Sequence, residues 1–369
     1  MLRLKRLYLF IKIIKKSTNR AIYVGSEDGN LYCLDANTGA LKWKYATNGP
    51  IQSSPTVVNS IVYFGSNDNY LYAVDATTGI LKWQYYMYPA AYYNSPIFSN
   101  GYIFISSTGG IGELFSINAT TGILRWKHSN LFYPQSPTIA NGKIFLGTAG
   151  NGFYAFDEIT GNIIWDDNGN IGISHLNPAV LNNRVYLSGE YYFYCMDQNN
   201  GNIIWSSPCY ANMSSPTIDN NITYFGTVDY QNKYHLRACN LSTGAIIFEY
   251  PPVIDVYFKR FSSPVVENDK VYANNVNGNL YALNKTNGNV VWQFTELGYP
   301  LQNDNNIPSP TVANGAIYTG TFNNKVYSLN ASDGSVLWNF TANDPIYSGP
   351  CVVDTLGNVF HAGTSGSKN

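Results

Sequence analysis

At 369 residues the chain is long enough for two or three ordinary domains, and its 45% hydrophobic and 15% aromatic content belongs to a packed fold, not a disordered one. Charge is scarce, at 12% of residues and a formal net of −1, but it is segregated: residues 1–20 hold seven of the 22 basic side chains and no acid, which leaves the rest at −8. An acidic remainder argues against nucleic acid as a partner, and five cysteines without framework spacing argue against a disulfide scaffold.

Residues 1–20 stand apart from the rest of the chain. Their longest apolar run, residues 7–11, is stopped by Lys12, which is too short for a membrane span. They read as a degenerate export leader or a basic-apolar segment that touches a membrane surface, or else as a disordered tail or an artefact of the assigned start. From Ala21 onward the chain repeats itself, and each unit reads as four strands. A Ser-Pro step opens most units (Ser54-Pro55, Ser95-Pro96, Ser136-Pro137, Ser215-Pro216, Ser263-Pro264, Ser309-Pro310), with Asn177-Pro178 and Gly349-Pro350 as variants. Proline at a strand's first residue costs no ladder bond. A second strand such as Val62-Tyr63-Phe64-Gly65 and an alternating third such as Leu71-Tyr72-Ala73-Val74 come next.

Every unit closes on one motif. Asp75-Ala76-Thr77-Thr78-Gly79-Ile80-Leu81-Lys82-Trp83 has seven further copies at intervals of 39 to 46 residues, ending at Trp43, Trp126, Trp165, Trp205, Phe248, Trp292 and Trp338. The first residue is always Asp or Asn and the fourth Thr, Asn or Asp, side chains that close a tight turn onto backbone N–H groups. The fifth is always glycine (Gly39, Gly79, Gly122, Gly161, Gly201, Gly244, Gly288, Gly334), as a turn with positive φ demands. All seven tryptophans of the chain occupy the ninth position. A buried indole removes on the order of 150–250 Å² from water, roughly 4–6 kcal/mol gross. Together these glycines and rings read as glue between units.

This motif resembles the tryptophan-docking motif of the pyrroloquinoline-quinone-type (PQQ-like) eight-bladed β-propellers. The resemblance implies an all-β fold, a single eight-bladed propeller of four-stranded antiparallel blades over residues 21–365, with residues 1–20 and 366–369 as tails. Seven units are complete, opening at residues 54, 95, 136, 177, 215, 263 and 309. The eighth joins residues 21–45, which lack a first strand, to residues 349–354, which supply one and close the ring. Residues 359–363 read as one second strand too many, a frayed strand or the start of a truncated blade.

The family includes quinoprotein dehydrogenases and non-catalytic scaffolds such as the propeller lipoprotein of the outer-membrane assembly machinery. For the enzymes it implies a tryptophan against the quinone plane, a disulfide between adjacent cysteines and a Ca²⁺ held by an acid, an Asn and an Asp. Here every tryptophan is used by the repeat and Cys33, Cys195, Cys209, Cys239 and Cys351 include no adjacent pair, so PQQ and Ca²⁺ are disfavoured. Cys33 and Cys195 fill a slot held elsewhere by Ala or Ser and read as small core residues. The four histidines are scattered over different units, without metal-ligand spacing.

Loop length varies on one face only: residues 85–94, 130–135, 166–176, 249–261 and 293–308, with the hairpin 228–235. Variation confined to one face marks a binding face in repeat proteins. Its candidate contact residues are Tyr88, Tyr92, Tyr93, Tyr133, Tyr230, Tyr257, Arg260 and Tyr299. The expectation is a monomeric, non-catalytic scaffold that binds another protein or a glycan through this face, outside the cytoplasm or at the cell surface. The alternatives are a quinone-dependent dehydrogenase and a glycan-binding surface protein.

Overall fold

Third strands such as Tyr70–Asp75 (Tyr-Leu-Tyr-Ala-Val-Asp) are buried on both faces, which only happens when each sheet is sandwiched between two others. Their alternation is therefore one of size, not polarity: small Ala73 and large Tyr72 and Leu71 are all buried. Outer strands such as Leu81–Tyr86 alternate between exposed and half-buried residues instead, as one-sided strands do. In the computed structural model the described residues are 20–90, 94–108, 111–150, 152–167, 169, 171, 177–209, 214–229, 231, 233–251, 260–298, 307–354 and 358–360. Among them, 33 strands assort into seven four-stranded antiparallel sheets and one of five. These are the eight blades of a propeller, numbered 1 to 7 below from the unit that opens at Ser54. The composite blade takes its second, third and fourth strands (Ala21–Gly25, Asn30–Asp35, Leu41–Ala46) from one end of the chain and its first, Cys351–Val353, from the other. That junction is in register, with Ala21 opposite Val353 and Tyr23 opposite Cys351.

Three belts hold the ring. In the outer one, the ring of each motif lies on the glycine of the next. A methyl group on Gly79 would sit 2.7 Å from Trp43, on Gly122 2.8 Å from Trp83, on Gly288 2.5 Å from Phe248, and on Gly39 2.5 Å from Trp338. The same contact joins Trp126 to Gly161, Trp165 to Gly201, Trp205 to Gly244 and Trp292 to Gly334. Each glycine thus has two reasons to be one: its φ is near +72°, and the indole leaves no space for a side chain. The indole N–H and the second-strand tyrosine converge on one carbonyl of the next blade. Trp83 Nε1 and Tyr63 Oη donate to Ala119 O at 2.9 and 3.0 Å, and Trp338 Nε1 and Tyr318 Oη to Ala36 O at 3.1 and 3.2 Å. Burial pushes the Tyr63 phenol up to about 12, so it stays a donor at any ordinary pH.

The inner belt uses the Ser-Pro steps. The N–H of Ser54 donates to Ser95 Oγ, that of Ser95 to Ser136 Oγ, that of Ser215 to Ser263 Oγ, and that of Gly349 to Ser54 Oγ across the chain ends, all at 2.8–3.0 Å. Thr56, Thr217 and Thr311 add bonds to the carbonyls of Pro96, Pro264 and Pro350. Serine is thus an acceptor for its neighbour, a role that its place before a proline does not announce. A third belt runs along the face of the uniform turns, where Asn100 reaches Glu158, Asn141 reaches Gln198, and Lys285 pairs with Asp219 at 2.7 Å.

Of the surplus second strand, Val359–Phe360 lies within the described residues. Val359–Phe360 pairs antiparallel with Cys351–Val353 on the edge opposite to Ala21–Gly25, so the composite sheet has five strands.

The repeated turn is closed by its first side chain. Asp75 Oδ1 accepts the N–H groups of Thr77 and Thr78 at 3.0 Å and the Thr78 hydroxyl at 3.1 Å, and Oδ2 meets Lys82 at 3.1 Å. The Lys82 bond and these N–H groups hold the Asp75 carboxyl below its ordinary range. A depressed carboxylate contributes stability that is present above the unfolded pKa, about 3.9, and lost as pH falls through the folded value.

In urea melts, Trp338→Ala should cost about 3–5 kcal/mol, whereas Trp338→Phe should cost well under half of that, because Phe248 fills the same place in blade 5 and Tyr318 keeps the Ala36 carbonyl bonded. Asp75→Asn should change neutral-pH stability by less than about 0.5 kcal/mol, since four copies of the turn use Asn, while flattening the decline of stability between about pH 5 and 3. An unchanged acid slope would refute the assigned turn.

Candidate functional site

The face of the uniform turns is spent on bonds between blades, so the opposite, variable face is the one left to bind. Of the candidate contact residues, Tyr88 is 71% exposed and Tyr133 49% exposed. Tyr133 also has φ +45°, a conformation that costs a bulky residue energy and that the link between blades 2 and 3 imposes. Arg260 is half-buried, and its carbonyl accepts the N–H of Val276. Tyr92, Tyr93, Tyr230, Tyr257 and Tyr299 lie outside the described residues.

Other exposed groups on the same face were not singled out by sequence. Ile111 (57%) projects from the hairpin of blade 2, Phe132 (41%) from the link beside Tyr133, and Tyr191 and Tyr192 (52% and 41%) from the hairpin of blade 4; Tyr86 (56%) ends the outer strand of blade 1. With Tyr88 and Tyr133 they form an aromatic and aliphatic arc over blades 1 to 4. Elsewhere among the described residues, large exposed apolar side chains sit on outer strands and in the uniform turns, with Leu181 at the end of a first strand. The missed signal was position: Tyr191 and Phe132 sit at the tips of a hairpin and a link where a soluble repeat would place Asn, Asp or Gly.

Phe132 packs over Gly150, where a methyl group would meet it at 2.8 Å, and Tyr86 stands edge-on to Tyr70 with centroids 5.3 Å apart. Phe132 and Tyr86 are thus anchored on backbone and ring contacts while each stays partly exposed. Charge nearby is internally satisfied: Glu113 pairs with Lys127 at 2.8 Å and accepts the Ser129 hydroxyl at 2.6 Å.

The residues present do not fit the quinone set that the sequence resemblance implies. Every tryptophan lies on a neighbouring blade's glycine, away from the axis. The five cysteines are buried and form no disulfide, and burial pushes Cys33 and Cys239 up to about 12 and raises Cys195 and Cys351 as well, so these four supply no thiolate at neutral pH. Among the described residues no group of three His, Cys, Asp or Glu could hold a metal ion.

Comparison with known proteins agrees with this geometry. The family model for the outer membrane protein assembly factor BamB matches residues 12–129, 93–177, 172–305 and 296–365. The crystal structure of BamB from Moraxella catarrhalis is similar with a TM-score of 0.65, at 15% identity over 84% of this chain and 92% of that one. A computationally designed protein, Ika8, is similar with a TM-score of 0.65 and 12% identity over 85% of this chain and 95% of it. The dihydro-heme d1 dehydrogenase NirN scores 0.67 at 10% identity, over 90% of this chain and 75% of that one. At such identities these likenesses show the fold alone. The beta-alanine-activating enzyme of Danio rerio is 41% identical over 44 residues, 12% of this chain and 4% of that enzyme. Because the BamB model matches almost the whole length in four overlapping segments, the chain belongs to the PQQ-like propeller family of the outer membrane protein assembly factor BamB.

Proposed function

We propose that this propeller is a non-catalytic scaffold that docks another protein through the aromatic arc of its variable face, outside the cytoplasm. The observation that carries the reading is the confinement of Tyr88, Ile111, Phe132, Tyr133 and Tyr191 to loops of one face, with Tyr192 at the start of the strand that follows Tyr191. Rigid, half-wet tyrosines at low charge are what transient protein interfaces concentrate at their cores. Membership of an assembly-factor family supports a role in holding other proteins together. Residues 1–20, basic and apolar by turns, would add a contact with a membrane surface.

A photo-crosslinking amino acid placed at Tyr133 or Tyr88 in cells should give one dominant protein adduct, and the same group at Asn141, on the opposite face, should give none. Combining Tyr88→Ala with Phe132→Ala should cut the adduct formed at Tyr133 by at least about tenfold, since an exposed aromatic anchor contributes about 1–2 kcal/mol. Adducts of equal yield from both faces would refute the assignment. A glycan partner would instead leave the proteome unlabelled and show on a glycan array.

A further inference from the structure

In seven blades the first strand ends the sheet, and its second edge faces the axis without a partner strand. The composite blade differs. Cys351–Val353 is paired on both edges, and in the same register: Val353 lies opposite both Ala21 and Val359, and Val352 opposite both Ile22 and Phe360. The chain therefore carries two second strands for one first strand. Ala21–Gly25 takes the outer edge with every residue buried and all five residues paired to the third strand as well. Val359–Phe360 takes the inner edge with two residue pairs, half-buried, and among the described residues no further strand pairs with it.

Its seat is specific all the same. Asn358 donates its backbone N–H to Asp354 Oδ1 at 2.9 Å and its side-chain amide to Oδ2 at 2.8 Å, and the Asp354 N–H returns to Asn358 O at 3.0 Å. Phe360 packs against the cluster containing Ile22, Val352 and Ala313, and Val359 against the one containing Val57 and Cys351. The inner edge thus accepts an extended strand beside two apolar hollows, one that takes a β-branched residue and one that takes an aromatic ring.

We propose that the channel-facing edge of Cys351–Val353 is a peptide-binding edge, filled in this structure by the chain's own Val359–Phe360, and that an extended segment with the same apolar pair from a second polypeptide exchanges with it. Exchange is favoured at this edge because the resident strand is short and wet on one side, while the strand on the outer edge is locked from both sides. This site lies on the axis, apart from the aromatic arc, and stands or falls separately from it.

Hydrogen exchange and a synthetic peptide of the sequence of residues 357–364 test the proposal on the full-length chain. The Val359 and Phe360 amides should exchange at least about 100-fold faster than those of Ile22 to Val24, because opening them needs no opening of the ring. The labelled peptide should bind Phe360→Asp at least about tenfold more tightly than the parent chain, since the resident strand no longer competes, and a peptide with aspartate in place of its phenylalanine should not bind. Equal protection of the two strands, or no binding to a folded Phe360→Asp chain, overturns the proposal. Should that variant not fold, the parent chain decides: excess peptide must accelerate exchange at Val359 and Phe360, and unchanged exchange overturns the proposal.

Discussion

Everything in this molecule depends on an indole lying against a peptide that has no side chain. A blade alone is a four-stranded sheet with two apolar faces and cannot persist in water; it is stable only between two neighbours. The Trp-on-Gly contact sets how close those neighbours come, because a flat ring seated on a bare backbone fixes both distance and tilt. Gly79 and Trp43 therefore vary together in physical meaning: a methyl group on the first would displace the second. Repeated eight times, that fixed angle closes the circle, and Trp338 on Gly39 makes the last contact between distant ends of the chain.

The junctions are not equal, and the differences are compensated locally. Among the described residues the buried indole N–H groups of Trp126 and Trp205 meet no acceptor, so these junctions lack the bond that Trp83 makes to Ala119. At the first of these, Asn94 donates to Pro134 O at 2.8 Å and Asn100 to Glu158. At the second, the buried Arg237 reaches back to Pro208 O at 2.6 Å while its other nitrogens hold Glu249. Where Phe248 replaces tryptophan there is no N–H to satisfy, and Tyr224 alone bonds the Lys285 carbonyl at 2.9 Å. A ring of independent junctions tolerates such exchanges because each blade answers only to its neighbours.

Most of this architecture is legible in the sequence because its causes are local and periodic. The Asp-x-x-Thr-Gly-x-x-x-Trp spacing states the turn, the positive φ and the buried ring in nine residues, and eight copies state the ring. The serine hydroxyls of the inner belt were invisible because Ser95 acts on a residue 41 positions away, a distance that no local pattern encodes. The variable face was legible as a face but not as a site. Tyr88 and Tyr133 stand where loop variation placed them, yet Phe132 and Tyr191 are set apart only by exposure, which depends on how the links fold back over the rim.

The same logic explains why the second strand could be written twice. A repeat specifies its strands by pattern, so Val359-Phe360 carries the same instruction as Ala21-Ile22, and both satisfy it on the same partner. The edges decide the outcome. Ala21–Gly25 is continuous with the third and fourth strands of its sheet and brings Tyr23 to the Ala76 carbonyl at 2.9 Å, a bond that ties the composite blade to blade 1. The other copy, Val359–Phe360, pairs among the described residues with Cys351–Val353 alone, on the axis-facing edge of that strand. Closure by both chain ends thus leaves one first strand, Cys351–Val353, paired along both of its edges, a consequence of building a circle from a line of repeats.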